Sequence, residues 1–238
     1  MTSSTECPSF LNLGVMAEQL AAAAGPDPFG TGARILPVRA GPCEIFTTSI
    51  AAGSGEHVED RGDTWIFASR GALTLVTGSH EAVIEPGSSA VIAKGTAFRW
   101  RAAQPVTLIG MRYLEAVDGD GGISVIDNAA PLSPSNPPAD DVLIGERPAC
   151  RSNNVFRSAS GEFLCGTWDS TPYQRVPIFF RHSELMHLLE GEVSFTDEAG
   201  RTGTFRKGDT LIIEQGARCS WASFVPVAKI YALYKPAQ

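Results

Sequence analysis

Residues 184–234 read ELMHLLEGEVSFTDEAGRTGTFRKGDTLIIEQGARCSWASFVPVAKIYALY, and residues 64–113 read TWIFASRGALTLVTGSHEAVIEPGSSAVIAKGTAFRWRAAQPVTLIGMRY. Aligned with one residue inserted, Gly71 falls on Gly191, Gly87 on Gly208, Gly95 on Gly216, Trp100 on Trp221 and Tyr113 on Tyr234. Gln104-Pro105-Val106 also falls on Val225-Pro226-Val227. So many coincidences in one register mark a duplicated unit. Both copies consist of short alternating runs (ALTLV, AVIA, VSFT, TLIIE, AKIYALY) separated by turns such as TGSHE, DEAGR and RKGD. Period-two alternation with a turn signal about every ten residues predicts an antiparallel sandwich or barrel in each copy.

The rest of the chain fits a globule of 238 residues, 43% hydrophobic and 19% charged, which is long enough to bury a core in each copy. The net charge of −7 carries no basic stripe to offset it, which argues against nucleic acid as a partner. No apolar run reaches membrane-helix length, so no membrane partner is expected. The first basic residue is Arg34, so LNLGVMAEQLAAAAG (11–25) lacks a secretory n-region and reads as a short amphipathic helix or arm. Five widely spaced cysteines (7, 43, 150, 165, 219) form no C-x-x-C pair, and reduced thiols in a cytoplasm are the expectation. The stretch 118–141, rich in Gly, Pro, Ser and Asp, separates the copies. The expected organisation is an arm at 1–35, a barrel at 36–116, a linker or wrapping arm at 117–150, and a second barrel at 151–238.

The spacings Glu184-x6-Gly191 and Gly208-x5-Glu214-x-Gly216-x2-Cys219 resemble the two motifs of the cupin superfamily, G-x5-H-x-H-x3–4-E-x6-G and G-x5-P-x-G-x2-H-x3-N. The first copy keeps the same skeleton, with Gly71 and then Gly87-x5-Ala93-x-Gly95-x2-Phe98. The resemblance implies an all-β bicupin: two tandem jelly-roll barrels with a short N-terminal arm or helix. ELMHLLEG, GDTLIIEQGARCSW and PVAKIYALY are most similar to the cupin-3 group, which includes (S)-ureidoglycine aminohydrolase-like and ethanolamine-utilisation cupins.

Metal-binding cupins use three histidines and a carboxylate. Here the H-x-H positions fall on Pro177 and Phe179, or on Ile178 and Phe180 with the shorter spacer, and Cys219 stands at the last histidine. Glu184 matches the carboxylate. Neither Pro nor Phe can coordinate, so no metal and no other cofactor is expected. Alternation puts Met186 and Leu188 inward with Glu184 and turns His187 outward. Cys219 and Trp221 share the inner face of their strand, and the resemblance turns Lys229 and Tyr231 inward. Glu184 and Lys229 then offset each other's burial. In the first copy His57 and Glu59 match H-x-H, but Thr64 and Phe98 replace the other ligands. With Leu108 and Gly110 opposite, that barrel reads as apolar and structural.

These residues describe a barrel binding a small polar metabolite without metal. Glu184, Lys229 and Tyr231 are its candidate catalytic groups for acid–base chemistry, and Cys219, Trp221 and Met186 line it. Jelly-roll edges and the arm favour a homodimer. Two other readings stand beside it: a non-catalytic sensor or scaffold dimer, and a metal enzyme using His57/Glu59 or His182/Glu184/Cys219.

Overall fold

Strand after strand in one copy has its counterpart in the other at the offset the glycines set. The computed structural model describes residues 9–19, 27–119 and 121–237. Cys7 and the outer part of the expected arm lie outside the described residues. Two compact units emerge, one of Met1–Leu13, Ala129–Asn154 and Gly166–Gln238, the other of Gly14–Asn128 and Val155–Cys165.

The second copy packs two sheets face to face. One runs, in spatial order, Phe10–Asn12, Thr210–Ile213, Ser183–Glu190, Val227–Tyr234, Phe163–Ser170, Cys150–Arg157, Ser133–Ser135. The other runs Leu143–Ile144, Tyr173–Phe179, Arg218–Ser223, Glu192–Thr196, Thr202–Arg206. Their inward residues, among them Met186, Leu188, Val193, Phe195, Leu211, Cys219 and Trp221, form one core. The first copy repeats this with a six-stranded sheet (Ile123–Ile126, Ser89–Ile92, Asp63–Arg70, Val106–Tyr113, Cys43–Ile50, Arg34–Ile35). It faces a four-stranded one (Gly53–Glu59, Thr96–Ala102, Leu73–Thr77, His80–Ile84). Among the described residues the chain is thus nearly all β, two tandem jelly rolls with one short α-helix, Leu13–Gln19. No described helix is long and apolar enough to cross a membrane.

The stretch between the copies contributes short strands: Ile123–Ile126 pairs with Ser89–Ile92, and Leu143–Ile144 pairs with Tyr173–Phe179. At the other end of the chain, Phe10–Asn12 pairs with the edge strand Thr210–Ile213, covering backbone groups that would otherwise stay open. Phe10 enters the core there, with its ring centroid 5.7 Å from that of Phe195.

The first barrel is closed by its own chain. Phe29 is fully buried, with its ring 5.1 Å from Phe98 and 5.4 Å from His57. Asp27 holds His57 Nδ1 at 3.0 Å, and the Phe29 carbonyl accepts a bond from Arg112 Nη2 at 2.8 Å. This barrel is therefore not simply apolar, as expected from Leu108 and Gly110. Arg112 and Glu59 are both buried in it and paired at 3.0 Å. Thr64 donates to the same Glu59 oxygen at 2.9 Å.

The repeated Gly–Pro coincidence has a steric origin. Gly71 and Gly191 sit at φ 72° and 80°, and an added Cβ would lie 2.4 Å and 2.0 Å from the carbonyl oxygens of Pro105 and Pro226. Each glycine lets the closing turn of its barrel approach its neighbour. Gly191→Ala should therefore cost well over the ~1–2 kcal/mol of a left-handed alanine alone. Gly200→Ala, at φ 76° with no atom within 4 Å, should cost only that lower amount. Urea titration of the two variants checks the difference.

Candidate functional site

The site in the second barrel is set by two neighbouring strands. Ser183–Glu190 and Val227–Tyr234 run antiparallel, with Met186 opposite Tyr231 and Leu188 opposite Lys229. Glu184, Met186 and Leu188 share the inward face. Lys229 extends along it until Nζ donates to Glu184 Oε1 at 2.9 Å and reaches Met186 Sδ at 3.1 Å. The ammonium lies 4.6 Å from the centroid of Trp168 and 5.2 Å from that of Trp221. Ring faces and a carboxylate together replace the water that a lysine side chain only 7% exposed has given up. Trp221 stacks on Tyr173 at 5.3 Å and meets Trp168 edge-on at 6.0 Å. Cys219 is fully buried in the same core, and the Tyr231 hydroxyl donates to Asn154 Oδ1. The structure thus gathers Glu184, Lys229, Met186 and Trp221 around one ammonium, with Cys219 in the wall and Tyr231 on the same strand face.

Burial pushes the Glu184 carboxyl up, but the Lys229 charge and the adjacent His182 outweigh it and hold the group at about 2. A carboxylate so firmly ionised binds cations and donors well and is a weak proton acceptor near neutrality. Outward on the same strand, His187 is buried and shares a 2.9 Å hydrogen bond with Thr210 Oγ1. Burial lowers its pKa to about 4, with Asp209 pulling the other way, so the imidazole is neutral.

Arg175 and Tyr173 were not foreseen from the sequence. Both are buried on the inward face of Tyr173–Phe179. The Arg175 guanidinium donates to the Cys219 carbonyl at 3.0 Å, hydrogen-bonds the Tyr173 side chain and sits 5.1 Å from the Phe180 ring centroid. Burial lowers the Arg175 pKa and raises that of Tyr173. Arg175 stands opposite Trp221, whose inward face follows from strand alternation. Arg112 was legible by the same parity, two residues beyond Gly110.

These side chains do not form the metal set that metal-binding cupins use. A ladder irregularity between Arg175 and Ile178 sets Ile178 opposite Cys219, as His57 is opposite Phe98 in the first copy. The H-x-H positions are therefore Ile178 and Phe180, turned inward, while Pro177 and Phe179 face out. His182 Nε2 lies 3.8 Å from Glu184 Oε2. In the first barrel His57 and Glu59 are engaged by Asp27 and by Arg112 with Thr64. Among the described residues no three His, Cys, Asp or Glu side chains gather as a metal cluster, and Cys219 does not join His182 and Glu184.

His187 fixes a pH dependence of stability. Its folded pKa is depressed, so the unfolded chain binds the extra proton. Stability is complete above pH 6.5 and falls as the pH drops from 6.5 toward 4, by on the order of 3 kcal/mol. Glu184 adds a second loss as the pH falls from 4.5 toward 2. Chemical denaturation of His187→Gln across that range should show the upper window flattened and the lower one kept.

The EutQ-like cupin domain family matches residues 157–231. No protein of curated function matches the chain. A crystal structure from Pseudomonas syringae pv. tomato, a DUF861-family protein of unknown function, is 33% identical, with 89% of this chain and 92% of that one covered and a TM-score of 0.81. A cupin 2 conserved barrel domain protein from Leptotrichia buccalis is 12% identical over 99% of this chain and 100% of its own, with a TM-score of 0.61. The E. coli protein Ylba, also of DUF861, is 10% identical over 93% and 98%, with a TM-score of 0.55. The last two likenesses speak for the fold alone. With its duplicated jelly rolls, its glycine skeleton and a relative a third identical along nearly its whole length, the chain belongs to the DUF861 family of cupins.

Proposed function

We propose that this cupin holds a small polar metabolite in its second barrel, at the Glu184–Lys229 pair, without a metal. The observation that carries the reading is the Lys229 ammonium, placed inside the barrel between two tryptophans and within 2.9 Å of Glu184. A fold that needed only a core would be as stable or more so with apolar side chains there. Binding rather than turnover fits the Glu184 pKa of about 2, which leaves it a weak base. Tyr231, oriented by Asn154, fits a hydrogen-bonding role toward the ligand. In this reading the first barrel, plugged by Phe29, is structural, and the protein works as a cytoplasmic homodimer.

Removing one member of the pair isolates its partner in the barrel. Lys229→Met should cost roughly 3 kcal/mol, and the double variant Glu184→Gln/Lys229→Met should recover most of it. Thermal-shift screening of the wild type against ureides, amino acids and amino-alcohols is the functional test. A shift of several degrees with one class, absent from the double variant, is the expected result. No shift with any class would favour the non-catalytic scaffold instead.

A further inference from the structure

Among the described residues, the two buried cations of the second barrel, Lys229 and Arg175, have one carboxylate within ion-pair distance between them. Lys229 is answered by Glu184 at 2.9 Å. Arg175 is only 5% exposed and has no carboxylate within ion-pair distance among the described residues. Its hydrogen-bond and ring partners are a backbone carbonyl, a phenol and the face of Phe180, all of them neutral, while Glu184 acts on it only beyond ion-pair distance. Among the described residues, one positive charge of this barrel, that of Arg175, is thus left without a carboxylate at contact distance, and Glu184 acts on it only from farther off. Desolvating a lone guanidinium is among the more expensive ways to fill a wall.

We infer that the ligand of this site is a small monoanionic carboxylate, received by the Arg175 guanidinium with Lys229 contributing to the same positive field. The inference rests on the binding reading above and narrows it. A planar guanidinium matches the two oxygens of a carboxylate, and a single negative charge closes the balance where a doubly charged phosphate would overshoot it. Trp168, Trp221 and Tyr173 give the remainder of the molecule an apolar, aromatic wall. Amino-alcohols, which bring a second uncompensated cation, are disfavoured by the same arithmetic.

The test pairs each member of a panel of small carboxylates (acetate, glycolate, hydantoate, benzoate) with its neutral amide and reads thermal shifts and calorimetric affinities. Wild-type protein should respond to at least one carboxylate and bind it roughly ten- to a hundredfold more tightly than its amide. Arg175→Met should lose that preference, and Arg175→Lys should keep part of it. In the absence of any added anion, Arg175→Met should melt at or above the wild-type temperature, because it removes a buried charge that no carboxylate answers at contact distance. A guanidinium with a purely structural role predicts the reverse, a lower melting temperature in Arg175→Met. Amides binding as well as carboxylates, with Lys229 still required, would overturn the charge assignment and leave the binding reading standing. Silence from both series would overturn the two together.

Discussion

A charge placed inside a β-barrel must be answered by another charge within reach, because the sheets that surround it exclude the water that would otherwise do so. One cation in each copy meets that constraint, from different places on the last strand but toward the same repeat position, and Arg175 is the exception. In the first, Arg112 on the last strand meets Glu59 and Thr64. In the second, Lys229 on the last strand meets Glu184, at the position of Thr64 in the repeat. Glu184 and Thr64 stand at the carboxylate position of the cupin motif.

The two ends then diverge. In the first barrel Arg112 is fully committed, with Glu59, Glu44, Thr64 and the Phe29 carbonyl all accepting its bonds, and Phe29 fills the remaining space. Such a network holds a shape. In the second barrel Glu184 is shared by Lys229 and His182, and Arg175 leans on neutral partners only. The same ancestral plan has produced one closed barrel and one with electrostatic capacity in hand.

Much of this was legible in the sequence because it follows from periodicity and from steric necessity. The glycines at 71 and 191 recur because the Pro105 and Pro226 carbonyls leave room for nothing larger. Strand alternation then carried Glu184, Met186, Cys219, Trp221 and Lys229 to one interior. The parts that stayed hidden depend on exceptions to alternation or on distant segments. Pro177 cannot donate to the ladder, and the irregularity beside it restores Ile178 and Phe180 to the inner face while leaving Arg175 inward as well. Phe29 reaches its barrel from a loop that carries no periodic signal at all. Arg112 is a different case: its parity was plain, and only the apolar look of Leu108 and Gly110 obscured it.

In the proposed reading, side-chain cations stand where a cupin metal would sit. Quantifying transition metals per chain in purified, tag-free protein tests it most directly. The account predicts manganese, iron, nickel and zinc at background. Near-stoichiometric content of any of them would contradict it and send the search for ligands back to His57 and His182.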